Sequence, residues 1–116
     1  MAVAQKVDLS MMRGDTLSFD IVLNDIDQSS IVSLYFTVRK KATDETIILQ
    51  KSLGNGIDAV EGDDIRYRVR IAPEDTEAIS ISHGEIRFEY DVEIGIENDI
   101  YTPIKGQLTI VKDVTY

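Results

Sequence analysis

The sequence predicts an all-β fold, an antiparallel sandwich of about seven to nine short strands with one short helical turn. Three observations carry that expectation. From Glu85 to Ile94 apolar and charged residues alternate strictly, with Ile86, Phe88, Tyr90, Val92 and Ile94, and then Ile96, on one side and Glu85, Arg87, Glu89, Asp91 and Glu93 on the other. That period of two belongs to a strand with one buried face. Turn-forming clusters of Gly, Asn, Asp and Ser recur at short intervals along the chain. Only Pro73 to Ile79 has helical character.

The elements follow in order. Val7, Leu9 and Met11 alternate with Asp8 and Ser10, a short first strand at a sheet edge. Arg13-Gly14-Asp15 turns the chain, and Leu17, Phe19, Ile21 and Leu23 share one face of the next strand. Asn24 to Ser30 reads as a polar loop. Val32, Leu34, Phe36 and Val38 then form an apolar face opposite Ser33, Tyr35, Thr37 and Arg39, and the strand ends in the basic run Arg39-Lys40-Lys41. Ala42 to Glu45 turns into a β-branched strand at 46–51. Gly54-Asn55-Gly56 tolerates positive φ and so turns again. Ile57 to Val60 is briefly extended, and Glu61-Gly62-Asp63-Asp64 leads to Ile65, Tyr67, Val69 and Ile71 alternating with Arg66, Arg68 and Arg70.

Pro73-Glu74-Asp75-Thr76 suits a first helical turn, because proline loses no needed N–H there and acids face the positive helix end. This turn is expected to carry the chain between sheets. The hairpin over 83–116 closes the fold, with Glu97-Asn98-Asp99 at its tip and Ile104, Leu108 and Ile110 on the returning apolar face. Pro103 cannot donate to a ladder, so the last strand is expected to be bulged or at an edge there.

The 116 residues correspond to a single domain, 1–116, with no linker or repeat. Twelve basic against twenty-one acidic residues give a formal net charge of −9. Such a surface repels phosphate backbones and anionic lipid, so neither nucleic acid nor a membrane is the expected partner. No apolar run approaches the roughly 18 residues of a spanning helix. Gln5, Lys6 and Asp8 interrupt any signal-peptide core, and cysteine is absent, so synthesis in the cytoplasm is expected.

Few residues suggest chemistry. His83, in Ser82-His83-Gly84, is the single histidine; without cysteine it cannot build the usual zinc sites, and in a turn before a strand it reads as an exposed turn residue. The expectation is therefore no enzyme, no cofactor and no metal. The loop carboxylates Asp25, Asp27, Asp63, Asp64, Glu97 and Asp99 suit calcium chemically but match no calcium-loop pattern. Arg13-Gly14-Asp15 reads as turn chemistry. The Arg66, Arg68 and Arg70 stripe is expected to pair across strands with Glu85, Glu89, Asp91 and Glu93 on a solvated face.

Three stretches carry a resemblance: Arg13-Gly14-Asp15-Thr16 leading into an apolar strand, YRVRIAPEDTEAI at 67–79, and the closing YTPIKGQLTIVKDVT. In this order they resemble the small immunoglobulin-like domains of tailed-phage and prophage structural proteins, especially the N-terminal domain of baseplate upper proteins. The Pro-Glu-Asp-Thr turn is also similar to one in immunoglobulin variable domains. The resemblance implies an immunoglobulin-like sandwich in a virion tail, docking onto other tail or baseplate proteins, with a homo-oligomer compatible and no catalytic residues. Baseplate upper proteins continue into a helical trimer-forming region, and this chain has no heptads. It is thus expected to be a free-standing small tail protein, or to play a role other than trimer assembly. The expected binding surface is the hairpin tip and the irregular strand after it: Glu97, Asn98, Asp99, Ile100, Tyr101 and Pro103. The alternative is a carbohydrate- or ligand-binding sandwich, for which Tyr35, Tyr67, Tyr101 and Tyr116 are the outward rings available for stacking.

Overall fold

In the computed structural model, residues 5–23, 31–41, 45–62, 66–97 and 99–112 are described. The expected loop at 24–30 and most of the turns at 42–45 and 61–64 lie outside them, as do Ile65, Asn98 and Tyr116. The strands are β1 (Gln5–Lys6), β2 (Leu9–Met12), β3 (Leu17–Val22), β4 (Ile31–Arg39), β5 (Ile47–Leu53), β6 (Gly56–Ala59), β7 (Arg66–Ile71), β8 (Glu85–Ile96) and β9 (Asp99–Val111), with one helical turn α1 (Pro73–Glu77) before β8.

Hydrogen bonding runs continuously through β1-β9-β8-β4-β5-β6-β7-β3, with β2 also on β9. The path folds over on itself. Phe19 of β3 and Phe36 of β4 lie at opposite ends of the run β4-β5-β6-β7-β3, yet their rings meet edge to face at 5.4 Å. A thickness of 19 Å fits two layers about 10 Å apart plus their outer side chains. The result is the expected immunoglobulin-like sandwich, nearly closed into a barrel. One layer holds β1/β2, β9, β8, β4 and β5; the other holds β6, β7 and β3.

Alternation places the core as the sequence indicates. Ile21, Tyr67, Val69 and Ile71 from one layer meet Leu34, Phe36, Val38, Phe88, Val92, Ile94, Leu108 and Ile110 from the other, all buried. α1 bridges the layers. Its Asp75 carboxylate accepts from the Ala72 N–H at 2.7 Å, half of a capping box, and also pairs with Lys51 Nζ of β5 at 2.7 Å. Gly56 makes room for the Lys51 stem, since a Cβ there would collide with it.

Four expectations need correction. The fold is mixed rather than purely antiparallel, because β1 and β2 run parallel to β9, and the chain doubles back at Gly54-Asn55 to set β6 parallel to the end of β5. Val32 is not in the core: Ile31 opposes Ile96 while Ser33 opposes Gly95, so a bulge at Val32 turns it outward, 72% exposed. Tyr67 is buried at 3% exposure and offers no stacking face. The arginine stripe of β7 does not meet the acids of β8, because those strands lie in different layers. Its partner is Asp20 of β3, whose carboxylate takes Arg68 Nε at 2.9 Å and Arg66 Nη1 at 3.3 Å.

Candidate interaction surface

The β8–β9 hairpin ends where its two strands stop matching. Val92 opposes Ile104 and Ile94 opposes Tyr101, so two steps along β8 face three along β9. The extra residue falls at Thr102-Pro103. A proline there forfeits no ladder bond, which is why the bulge forms at that point. Beyond it the pairing resumes, Gly95 with Ile100 and Ile96 with Asp99, and the turn follows. Glu97 takes a positive φ of 33°, the twist that tight hairpins require.

Bulges on both neighbours of the β8 end have a common consequence. Val32 on β4 and Ile100 on β9, 72% and 70% exposed, flank the Ser33–Gly95 row. Gly95 carries no side chain because a Cβ there would strike the Ser33 hydroxyl. Glu97 and Asp99 are exposed beside this apolar pair, and the Tyr101 hydroxyl lies 3.5 Å from the Asp99 carboxylate. Of the expected surface residues, Glu97, Asp99 and Ile100 are exposed, Tyr101 and Pro103 are half-buried, and Asn98 is outside the described residues. Val32 joins them although its alternation pointed inward; only the bulge reveals it.

On the other half of β9 the edge is covered. Val7 N–H donates to the Lys105 carbonyl at 2.9 Å, and Asp8 Oδ1 accepts from Gln107 N–H at 3.0 Å. The Tyr90 hydroxyl crosses side-chain-free Gly106 to donate to the Val7 carbonyl. Burial, reinforced by the nearby Asp8 charge, pushes the Tyr90 phenol up to about 12.

An open cleft of about 240 Å³ lies on the outer side of the same layer, lined among others by Lys6, Arg39, Glu89, Asp91, Lys105 and Gln107. Burial raises the Asp91 carboxyl, and Arg39 Nη1 at 3.8 Å opposes that rise. Acids and bases alternate around it, which neutralises the cleft rather than aiming it at one ligand charge.

The other residues that the sequence singles out lie elsewhere. His83 is an exposed bend residue. Arg13-Gly14-Asp15 docks the β2–β3 turn onto α1: Arg13 Nη1 donates to the Ile79 carbonyl at 2.9 Å and Gly14 N–H to the buried Thr76 hydroxyl at 2.8 Å. Among the described residues no group of three or more His, Asp or Glu is placed to hold a metal, and Asp25, Asp27, Asp63 and Asp64 lie outside them. The Arg68 hydrogen bond, with help from Arg66, holds Asp20 below the usual carboxylate range despite some desolvation.

No protein-family model and no curated protein matches the sequence. Among solved structures, the chain is similar to AggA, the major subunit of aggregative adherence fimbriae type I from Escherichia coli, at 12% identity over 91% of this chain and 89% of that one. The TM-score of 0.30 is too low for that similarity to carry an argument.

Proposed function

We propose that this chain is a non-enzymatic structural component of a phage or prophage tail or baseplate, working by protein–protein contact in the virion. The observation that carries the reading is the hairpin end, where two bulges turn Val32 and Ile100 outward beside Glu97 and Asp99. Large aliphatic side chains at that exposure, bordered by charge, have the make-up of a contact surface with an apolar centre and a polar rim. The partner that fits is a tail or baseplate protein offering an apolar pocket edged by Lys or Arg. The motif resemblance at 13–16, 67–79 and 101–115 supplies the tail assignment.

The test is co-purification with the tail and baseplate proteins of the same genome. A stable complex is expected, and Ile100→Asp combined with Val32→Asp should weaken it at least about tenfold while the circular dichroism spectrum stays unchanged. No complex with any tail protein would end this reading. Carbohydrate binding finds less support, since Tyr67 is in the core at 3% exposure and offers no ring for stacking.

A further inference from the structure

The second layer ends in an edge of a different kind. β3 pairs with β7 from Leu17↔Ile71 to Val22↔Arg66 without a register shift, and no described strand pairs with its other side. Sheet edges are normally blunted by Pro, Lys, a bulge or an inward charge. β3 reads LSFDIV, has none of the first three, and its one charge, Asp20, points outward and is already held by Arg66 and Arg68.

We propose that β3 is a homodimer interface, formed by antiparallel edge-to-edge pairing with a second copy about a two-fold axis at Phe19. The register follows from charge. Opposed residues in an antiparallel pair share a face, so a two-fold axis near the middle of this edge falls at Phe19 or at Asp20. An axis at Asp20 sets two carboxylates directly opposite each other, which is unfavourable. An axis at Phe19 sets Ser18 opposite Asp20 of the second copy, Leu17 opposite its Ile21, and the two half-buried Phe19 rings together on the inner side.

Arg70 completes the match. It is exposed, lies opposite Ser18 in the β3–β7 register, and has no ion-pair partner among the described residues. In the dimer the outer row runs Arg70, Ser18, then Asp20 and Arg68 of the second copy. Arg70 and that Asp20 stand two strand spacings apart, about 10 Å, and Ser18 is too small to separate them. The contact is isologous, so it forms twice and closes at two copies. The location also suits a chain of net charge −9: Arg66, Arg68 and Arg70 gather on this layer, while Glu85, Glu89, Asp91 and Glu93 lie on the other.

Sedimentation equilibrium of the full chain from about 10 μM to 1 mM tests the proposal. A concentration-dependent monomer–dimer equilibrium is expected. Ser18→Glu places a carboxylate opposite Asp20 of the second copy and should raise the dissociation constant about tenfold or more, as should Arg70→Glu. Both positions are exposed, so circular dichroism should report an intact fold. Ile100→Asp should leave the dimer unchanged. A monomer throughout, a Ser18→Glu variant that dimerises like the parent, or a dimer dispersed by Ile100→Asp would each overturn the proposal. The first two outcomes leave the proposed contact of the hairpin end with a tail protein untouched, so the two readings fail separately.

Discussion

The two halves of β9 belong to one strand yet meet opposite fates. From Ile104 to Val111 its outer edge is covered by β1 and β2, whereas from Asp99 to Pro103 no described strand pairs with that edge. The difference lies in single residues. Gly106 lets the Val7 backbone close over the strand, and Tyr90 passes across it to the Val7 carbonyl. Pro103 instead carries a bulge that shifts the register and sends Ile100 to solvent. A sheet edge is thus closed or left available by whether the backbone can be approached, and not by the hydrophobicity of the strand. Both halves carry large aliphatic residues, Ile100 in one and Ile104, Leu108 and Ile110 in the other.

Truncation should separate the halves most widely. Leu108, fully buried, should lose about 3 kcal/mol of stability as Leu108→Ala, through lost burial and the cavity left behind. Ile100→Ala should change stability by no more than about 0.5 kcal/mol. Urea denaturation of both variants measures the contrast. Comparable losses would mean that Ile100 is packed in solution and that the hairpin end is not the available half.

Gly106→Ala tests the closure itself. A Cβ at Gly106 would stand 2.7 Å from the Val7 carbonyl carbon, against backbone that cannot swing aside as a side-chain tip could. The strand must then lift off or shift, at a cost of about 2 kcal/mol. Amide exchange should locate the damage, with Val7 N–H losing protection while the amides of β7 keep theirs. Uniform loss of protection would instead mean that β1 and β2 are integral to the core.

Tyr90→Phe removes the tie and leaves the packing, including the contact with Phe36 at 5.2 Å between ring centres. It should cost about 1 kcal/mol at neutral pH. The pH dependence has a definite sign. The folded phenol titrates at about 12 against an ordinary value of 10.0, so its contribution is whole below pH 10. It is lost as pH rises from there through 12, because the unfolded chain gives up the proton first. Alkaline unfolding of the parent should therefore steepen across that window and that of Tyr90→Phe should not. Ultraviolet titration should show one tyrosine ionising late in the parent only.

Much of this molecule could be read from alternation. β3, β7, β8 and the far half of β9 bury the residues that a period of two selects, and Pro103 announced its bulge. Alternation fails where an extra residue enters a strand, as at Val32, where the bulge reverses the facing of a residue that looks like core. It also cannot say which strands are neighbours. β2 joins β9 through the register Leu9↔Leu108, and the arginines of β7 find Asp20 rather than the acids of β8. Both depend on contacts far apart in sequence, for which the chain carries no local signal. The hairpin tip was legible because turn residues and proline are local; its apolar centre was only half so, since Ile100 was visible and Val32 was not.

The smallest expected effect lies at the turn joining the two contrasted strands. Glu97 holds φ at 33°, a left-handed conformation that costs an ordinary L-residue about 1–2 kcal/mol. Glycine adopts it freely but gives back about 0.5–1 kcal/mol in unfolded-chain entropy. Glu97→Gly should therefore stabilise the protein by only about 0.5 kcal/mol. Glu97→Asn should gain a similar amount, because asparagine tolerates the left-handed region without glycine's extra freedom. A small rise in the thermal midpoint for both variants is the expected reading. A fall in both would mean that the Glu97 side chain makes a contact that outweighs the strain, and that the tip is a fixed part of the hairpin rather than a turn accepted at a cost to reach the exposed end of β9.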